Sequence, residues 1–232
     1  MKQLTIITIM ALMSLTATAQ KVNYAVNRST GLLSHLSIKG DLYRMNWMQV
    51  YADTLDPMHK AYRWGASVNM KKRDPENPVK ITNSVKHWNI DYDVFEEYTI
   101  KNESKVPYDL SNLRITLPFN SNPDVGSSKH QRCDLTVSIG EGSKDYIKAV
   151  RQSGKPNHLG LIVQKGKLGR YEMLEVEKPS GNSNGRYILC VYPESYILKP
   201  GKSYTLKWCI FSFEDEEDFQ KDIKHRGWKP KK

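Results

Sequence analysis

Residues 198–219 read LKPGKSYTLKWCIFSFEDEEDF, and this stretch decides the fold. The turn sequence Lys199-Pro200-Gly201 precedes a β-prone run over 203–213. The run breaks into an acidic cluster at 214–218, and acidic residues in a first turn favour a helix because they complement its dipole. The stretch therefore predicts a long closing strand followed by a short helix over 215–225.

Alternation within 203–213 assigns its side chains to two faces, since successive residues of a strand point to opposite sides. One face is nearly all large and apolar, which predicts packing on a sandwich core. That face carries Tyr204, Leu206, Trp208, Ile210 and Ser212, and the other carries Thr205, Lys207, Cys209, Phe211 and Phe213.

The rest of the chain repeats short β-prone runs about every ten residues with turn residues between them, which is typical of an antiparallel sandwich. We predict an all-β protein, a large antiparallel β-sandwich with a short C-terminal helix. No repeat or linker divides the chain, so we expect one domain over 20–219, then a helix end and basic tail over 220–232. The runs lie at 22–26, 32–38, 45–51, 64–70, 79–90, 92–101, 110–117, 133–139, 146–150, 158–164, 171–177 and 186–192.

The N-terminus has the features of a secretory signal peptide. Lys2 precedes an apolar run over 4–15, and Ala17-Thr18-Ala19 is a small-residue cleavage sequence. We therefore expect residues 1–19 to be removed after Ala19, which leaves a periplasmic or extracellular protein. No later apolar run approaches the length of a membrane span, so we expect no span.

The chain is basic, with 35 Lys and Arg against 25 Asp and Glu in 232 residues and a formal net charge of +10. Such a charge permits attraction to polyanions, including acidic polysaccharide. The lysines are spread along the whole chain, so an ordinary solvated surface is the alternative interpretation. We expect carbohydrate as the partner, including acidic carbohydrate, and no nucleic acid.

No catalytic or metal-binding motif occurs in the sequence, and we expect no catalytic residue, metal or cofactor. Glu96 and Glu97 are adjacent in a strand and so point to opposite faces, whereas Asp91 and Asp93 share a face that the pattern assigns to solvent. Three cysteines, Cys133, Cys190 and Cys209, are either small buried side chains or include a Cys190–Cys209 bridge.

Aromatic residues give the weak candidates for sugar contact. Five Trp and 13 Tyr against five Phe is a balance that suits either core packing or stacking on sugar rings. Trp208 is assigned to the core, and Trp47, Trp64 and Trp88 are left open between a core role and an exposed platform. His158 precedes an apolar run, and we expect it to cap a strand or bind a backbone carbonyl. The carbohydrate-contact candidates are Trp47, Trp64, Trp88, His158 and Arg186.

An ordered series of short motifs carries a resemblance to a known family. The series is His158-Leu159-Gly160-Leu161, Lys165-Gly166, Gly185-Arg186-Tyr187, the stretch 198–208 and Glu217-Asp218-Phe219, with Asn102 and 110–119 before it. It resembles the N-terminal β-supersandwich domain, of galactose-mutarotase-like fold, of secreted bacterial glycoside hydrolases that carry a six-hairpin (α/α)6 barrel. In such enzymes the acid and base come from the barrel, so the resemblance implies no catalytic residue here.

The resemblance implies a secreted, stand-alone, non-catalytic module associated with carbohydrate, with a separate glycoside hydrolase as a further partner. One alternative is an enzyme of mutarotase-like or polysaccharide-cleaving type that uses a concave sheet face; a groove lined by His, Glu and Arg would favour it. The other is a structural or interaction protein that docks acidic glycans, which a filled groove would favour.

Overall fold

The computed structural model describes residues 20–26, 33–48, 81–113, 115–121, 129–176 and 186–231. For residues 34, 81–84, 112, 116, 174–176 and 186–187 within these ranges, only the backbone is described. Every strand pair in these ranges is antiparallel, so the predicted all-β class with a C-terminal helix is confirmed. The elements are β1 (Val22–Val26), β2 (Leu33–Ile38), β3 (Ile81–Ile90), β4 (Asp93–Asn102), β5 (Tyr108–Asp109), β6 (Ile115–Leu117), β7 (Cys133–Ser138), β8 (Tyr146–Arg151), β9 (His158–Lys165), β10 (Leu168–Val176), β11 (Arg186–Pro193), β12 (Ile197–Leu198), β13 (Ser203–Phe213) and α1 (Glu216–His225).

The strands of the described residues form two larger sheets and two small pairs. The six-stranded sheet has the order β3-β4-β13-β9-β8-β7, and the three-stranded sheet has the order β10-β11-β6. Strand β1 pairs with β2, and β12 pairs with β5. The closing strand β13 therefore lies at the centre of the six-stranded sheet, between β4 and β9.

One large apolar core joins these sheets. From the inner face of the six-stranded sheet it takes Tyr98, Trp208 and Leu161, and from the three-stranded sheet it takes Leu117 and Leu189. All five side chains are almost completely buried. The predicted core role of Trp208 is confirmed, and the inner face of the six-stranded sheet is filled with side chains.

The outer face of β13 is buried as well in its second half, because α1 packs on it. Phe219 and Ile223 are one helical turn apart, so both point from α1 toward the sheet. Phe219 contacts Phe211 and Phe213 at ring-centroid distances of 6.0 and 4.9 Å. Both faces of β13 are thus buried in its second half, although the sequence pattern predicted only one buried face.

The helix begins at a side-chain cap. Asp215 has extended backbone angles, and its carboxylate accepts a hydrogen bond from the Asp218 N–H at 3.0 Å. Glu216, Glu217 and Asp218 follow in the first turn, as the dipole of the helix favours. The helix predicted over 215–225 is confirmed.

Replacing this cap is expected to weaken the fold measurably. Asp215→Ala leaves the N–H group of Asp218 without its acceptor, and we expect a loss of about 1 kcal/mol in the free energy of unfolding. Urea denaturation followed by circular dichroism measures it. Glu217→Ala, at an exposed position that does not cap, is the control, and an equal loss in both variants would contradict the capping role.

Some local predictions differ from the structure. Residues 45–48 of the strand predicted at 45–51 form no strand, and Met48 makes only an isolated bridge to Phe119. A 3-10 turn at Leu110–Asn112 interrupts the run predicted at 110–117, because the Asp109 side chain accepts a hydrogen bond from the Ser111 N–H. The strand predicted at 64–70 and the signal peptide at 1–19 lie outside the described residues.

The three cysteines are free and buried, so the interpretation as small buried side chains is confirmed and the Cys190–Cys209 bridge is not formed. Within the described ranges no helix is long and apolar enough to cross a bilayer. The same ranges hold no group of three or more His, Cys, Asp or Glu side chains placed to bind a metal ion.

Candidate functional site

Two polar clusters lie on the inner face of the six-stranded sheet, and the first is a histidine–glutamate pair. His87 and Glu96 are opposite each other on β3 and β4, and His87 Nε2 lies 2.6 Å from Glu96 Oε1. Trp208 donates from Nε1 to the other carboxylate oxygen at 2.8 Å. The His87 side chain is 7% exposed and that of Glu96 is 0% exposed, so the pair is enclosed.

Burial moves both groups of this pair toward their uncharged forms. It lowers the pKa of His87 to about 4. It raises the pKa of Glu96 well above its ordinary value, against the opposing effect of hydrogen bonds from Trp208 and Tyr98. An enclosed pair without net charge is suited to fixing the register of β3, β4 and β13.

The sequence signal for this pair is the turn between β3 and β4, because the number of residues between His87 and Glu96 indicates a pair only once the position of the turn is known. Residues 91–92 form the turn between β3 and β4, and Ile90 pairs with Asp93. Counting outward from that turn places His87 opposite Glu96. Glu96 is buried and Glu97 partly exposed, which confirms that they point to opposite faces.

The predicted solvent face of Asp91 and Asp93 holds only for Asp91, which is exposed. Asp93 binds the Arg226 guanidinium, with Nη2 at 2.8 Å from Oδ2, so the prediction was wrong for Asp93. The reason is that α1 covers this face and ends with Arg226 beside it, a contact between elements that the local pattern cannot encode.

The second cluster surrounds a completely buried arginine, Arg151, at the end of β8. Its Nη2 donates to Asp41 Oδ2 at 2.7 Å, and both side chains are at most 1% exposed. The guanidinium lies 5.1 Å from the Tyr43 ring centre and 5.4 Å from that of Trp47. Arg151 also donates to the carbonyl oxygen of His130, so the cation is held from several sides.

His158 contacts the backbone of Arg151 from the outer face of the six-stranded sheet, where its ring centre lies 5.2 Å from that of Phe213. Its Nδ1 accepts a hydrogen bond from the Arg151 N–H at 3.1 Å, which requires an unprotonated Nδ1. Burial, and then the nearby Arg151 charge, lower the pKa of His158 to about 4. His158 therefore acts here as a neutral acceptor that joins β8 to β9.

These histidines predict a loss of stability in acid. Folded His87 and His158 have a pKa of about 4, whereas the ordinary pKa of a histidine side chain is 6.5. Between these values the unfolded chain binds more protons, so the two histidines favour folding above pH 6.5 and lose this contribution as the pH falls toward 4. We expect the Tm of His158→Asn, which keeps an acceptor, to fall less steeply over this window than that of the wild type.

Thermal unfolding followed by circular dichroism at a series of pH values measures this difference. His225→Asn, which removes an imidazole from an exposed position in α1, is the matched control. Parallel Tm curves for the wild type and His158→Asn would contradict the assignment.

Two of the five predicted contact residues lie near Arg151, on opposite faces of the six-stranded sheet. Trp47 and His158 both contact Arg151, but Trp47 is 0% exposed and packs in the core. Trp64 lies outside the described residues, and of Arg186 only the backbone, in β11, is described. Sequence reasoning missed Arg151 and Asp41, which organise this end of the sheet.

Trp88 lies elsewhere, on the outer face of the six-stranded sheet. Its ring stacks on Phe95 at a centroid distance of 5.7 Å, and Lys207 Nζ lies 4.9 Å from its centre. The side chain is partly exposed. Of the described tryptophan candidates, Trp88 is the one with a ring that reaches solvent, so its role in sugar contact stays a prediction.

An open pocket of about 520 Å³ adjoins the Arg151 cluster on the protein surface. It is lined by residues of β2 and of the turn that follows, among them His35, Ser37, Asp41 and Arg44. Its volume falls within the range of small-molecule sites, about 300–1,000 Å³. Asp41 connects the two features, because it lines the pocket and binds Arg151.

The fold is shared with a known carbohydrate-active protein. A solved polysaccharide lyase superposes on this chain with a TM-score of 0.71 and 27% sequence identity, over 92% of this chain and 35% of the lyase chain. The chain thus spans 35% of the length of that lyase. No protein-family model matches the sequence, and no curated protein matches it.

Two further structures are more distant. A galactose mutarotase related enzyme from Lactobacillus acidophilus matches with a TM-score of 0.37 and 12% identity, over 66% of this chain and 67% of that chain. The CBM3a-L domain of a scaffoldin from the Clostridium thermocellum cellulosome matches with a TM-score of 0.27 and 12% identity, over 61% of this chain and 75% of that chain. Neither TM-score supports an argument about function. The chain resembles domains of carbohydrate-active proteins, and the narrower glycoside-hydrolase resemblance stays a prediction.

Proposed function

We propose that this chain is an exported β-sandwich module of a carbohydrate-active system, and that it docks acidic polysaccharide without catalysing its cleavage. The single observation that carries the proposal is the match to the polysaccharide lyase over 92% of this chain. The formal net charge of +10 supports an anionic ligand, because a cationic surface attracts polyanions.

The bonding of the titratable clusters supports a non-catalytic role. The His87–Glu96 pair and the Arg151–Asp41 pair are both enclosed, and each is hydrogen-bonded to its own neighbours. A general acid or base has to come within hydrogen-bond reach of its substrate. The filled inner face of the six-stranded sheet likewise favours the docking alternative over a groove that holds a reacting sugar.

Polysaccharide binding by the purified protein tests the proposal. Affinity electrophoresis in gels that contain polygalacturonate, dextran sulfate or neutral dextran is expected to show retardation by the anionic polymers. Raising the salt to about 0.5 M should weaken this binding strongly, since the screening length then falls to a few ångströms. Unretarded migration in all three gels would overturn the proposal.

A second candidate function, catalysis by an acid–base pair, is favoured by one observation, the 2.6 Å approach of His87 to Glu96. Its test is turnover. Reducing-end release and ultraviolet absorbance of unsaturated sugars would detect hydrolysis and elimination respectively. Turnover by the wild type that His87→Ala abolishes, while the variant still binds the polymer, would replace the docking proposal with an enzymatic one.

Export is also a proposal. Gln20, which we expect to be the first residue after cleavage, is held in place: its carbonyl oxygen accepts a hydrogen bond from Ser212 Oγ at 2.5 Å, and its side chain accepts one from Asn157 at 3.2 Å. N-terminal sequencing of secreted protein should begin at Gln20. Recovery of exported protein that still begins at Met1 would contradict the cleavage. The separate hydrolase partner stays a prediction.

A further inference from the structure

The pocket beside β2 has a wall of outward-facing polar side chains. In β2, Leu36 and Ile38 are buried, whereas His35 and Ser37 are partly exposed. Both of these polar side chains line the pocket, together with Arg44 from the following turn. An imidazole, a hydroxyl and a guanidinium therefore face one open space.

Asp41 fixes the backbone of this turn. Its two carboxylate oxygens accept hydrogen bonds from the N–H groups of Tyr43 and Met45, each at 3.1 Å. The Arg44 N–H donates to the Asp41 carbonyl oxygen at 3.1 Å. Arg151 holds the same carboxylate from the protein interior. The pocket thus has a rigid floor that is tied to the core.

Arg44 adopts a backbone conformation that is uncommon for its type. Its φ is +49°, in the left-handed region that glycine occupies most readily. Such conformations in non-glycine residues cost free energy and persist where the surroundings fix them. Here the hydrogen bonds of Asp41 supply that constraint, and they hold a cation at the pocket.

The polar groups of the pocket are available for a ligand. In the part of the chain that the structure describes, His35, Ser37 and Arg44 make no side-chain hydrogen bond or ion pair. A guanidinium presents a planar fork of donors that matches anionic oxygens. Imidazole and hydroxyl groups donate to and accept from sugar hydroxyls. Leu42, 90% exposed, adds an apolar surface at the same pocket.

We infer that this pocket is a binding subsite for an acidic sugar residue of a polysaccharide, with Arg44 as the anion-binding group and His35 and Ser37 as hydroxyl-binding groups. The inference rests on the proposed function and names the site within it. The anion that Arg44 binds is the carboxylate or the sulfate group of the sugar, since the chemistry of recognition is shared. The open form of the pocket suits one residue of a longer chain.

The test is affinity electrophoresis and calorimetry of the full chain with the three polymers named above. Arg44→Gly is the main variant, because glycine fits the left-handed backbone and so removes the side chain without straining the turn. Lys202→Ala is the matched control, because it removes one exposed positive charge just before the first residue of β13 and outside the pocket. Loss of a charge-assisted contact is expected to weaken anionic polymer binding about tenfold or more in Arg44→Gly, and less than about threefold in Lys202→Ala.

Each result separates the pocket from the broader function. A loss of affinity in Arg44→Gly but not in Lys202→Ala supports the subsite. A loss with polygalacturonate identifies a carboxylate as the bound anion, and a loss with dextran sulfate identifies a sulfate. Equal affinities of the wild type and Arg44→Gly, or equal losses in Arg44→Gly and Lys202→Ala, overturn the subsite but leave polysaccharide docking intact. If the wild type binds neither anionic polymer, both the subsite and the proposed docking of acidic polysaccharide are wrong. If it nevertheless binds neutral dextran, the ligand is a polysaccharide without acidic groups.

Discussion

Replacing Arg151 with methionine is expected to lower the free energy of unfolding by about 3–5 kcal/mol, because the change leaves the carboxylate of Asp41 buried without its cation. Asp41 Oδ2 lies 2.7 Å from the guanidinium, and neither side chain is more than 1% exposed. The substitution also removes the donor to the His130 carbonyl oxygen and the contacts with Tyr43 and Trp47. Urea denaturation followed by tryptophan fluorescence measures the loss.

A double variant separates the charge from the packing. Arg151→Met combined with Asp41→Asn removes both charges, so we expect it to be more stable than Arg151→Met alone. Lys101→Met is the control for an exposed pair: Lys101 lies 3.6 Å from Glu103 with 51% of its side chain exposed, and its loss should cost about 0–1 kcal/mol. If Arg151→Met were as stable as Lys101→Met, the buried pair would have no structural role.

Gly160→Ala should be nearly as damaging, although it adds a single methyl group. A Cβ at this position would lie 2.3 Å from Cζ of Phe211. The Phe211 ring has little room to withdraw, because the Arg226 guanidinium lies 4.1 Å from its centre and Phe219 stacks on it. Overpacking of this kind costs about 1–3 kcal/mol or more, and we expect the upper end of that range.

A compensating substitution tests the cause. Phe211→Leu removes the ring that the new methyl group meets, so Gly160→Ala should cost less in that background than in the wild type. Thermal unfolding of the four proteins of this cycle gives the coupling between the two positions. Additive losses would show that the methyl group and the ring do not collide.

Local patterns predicted much of the fold, since the features concerned depend on neighbours in sequence. The alternation along β13, the turn at Lys199-Pro200-Gly201 and the acidic first turn of α1 are all of this kind. Gly201 has a φ of +72°, and its N–H donates to the Asn102 carbonyl oxygen, as a turn residue there requires. A short-range signal was sufficient at each of these places.

The candidate site depends on distant residues, and for that reason most of it was not predicted. Arg151 and Asp41 are 110 residues apart, and no spacing rule connects them. Trp47 and Trp88 have similar polar neighbours in sequence, yet the first is enclosed around Arg151 and the second lies on the outer face. The His87–Glu96 pair was not predicted either, although the β3–β4 turn fixes its register and so makes it a pair that the sequence could have indicated.

The central position of β13 has a consequence for biosynthesis. Its two partners, β4 and β9, are made long before it on the ribosome, and they cannot be joined until residues 203–213 have emerged. The two halves of the six-stranded sheet, β3-β4 and β9-β8-β7, therefore have no strand between them until β13 has been made. Closure of the sheet is thus a late, long-range event, because it joins segments that are about 40 to 100 residues apart in sequence.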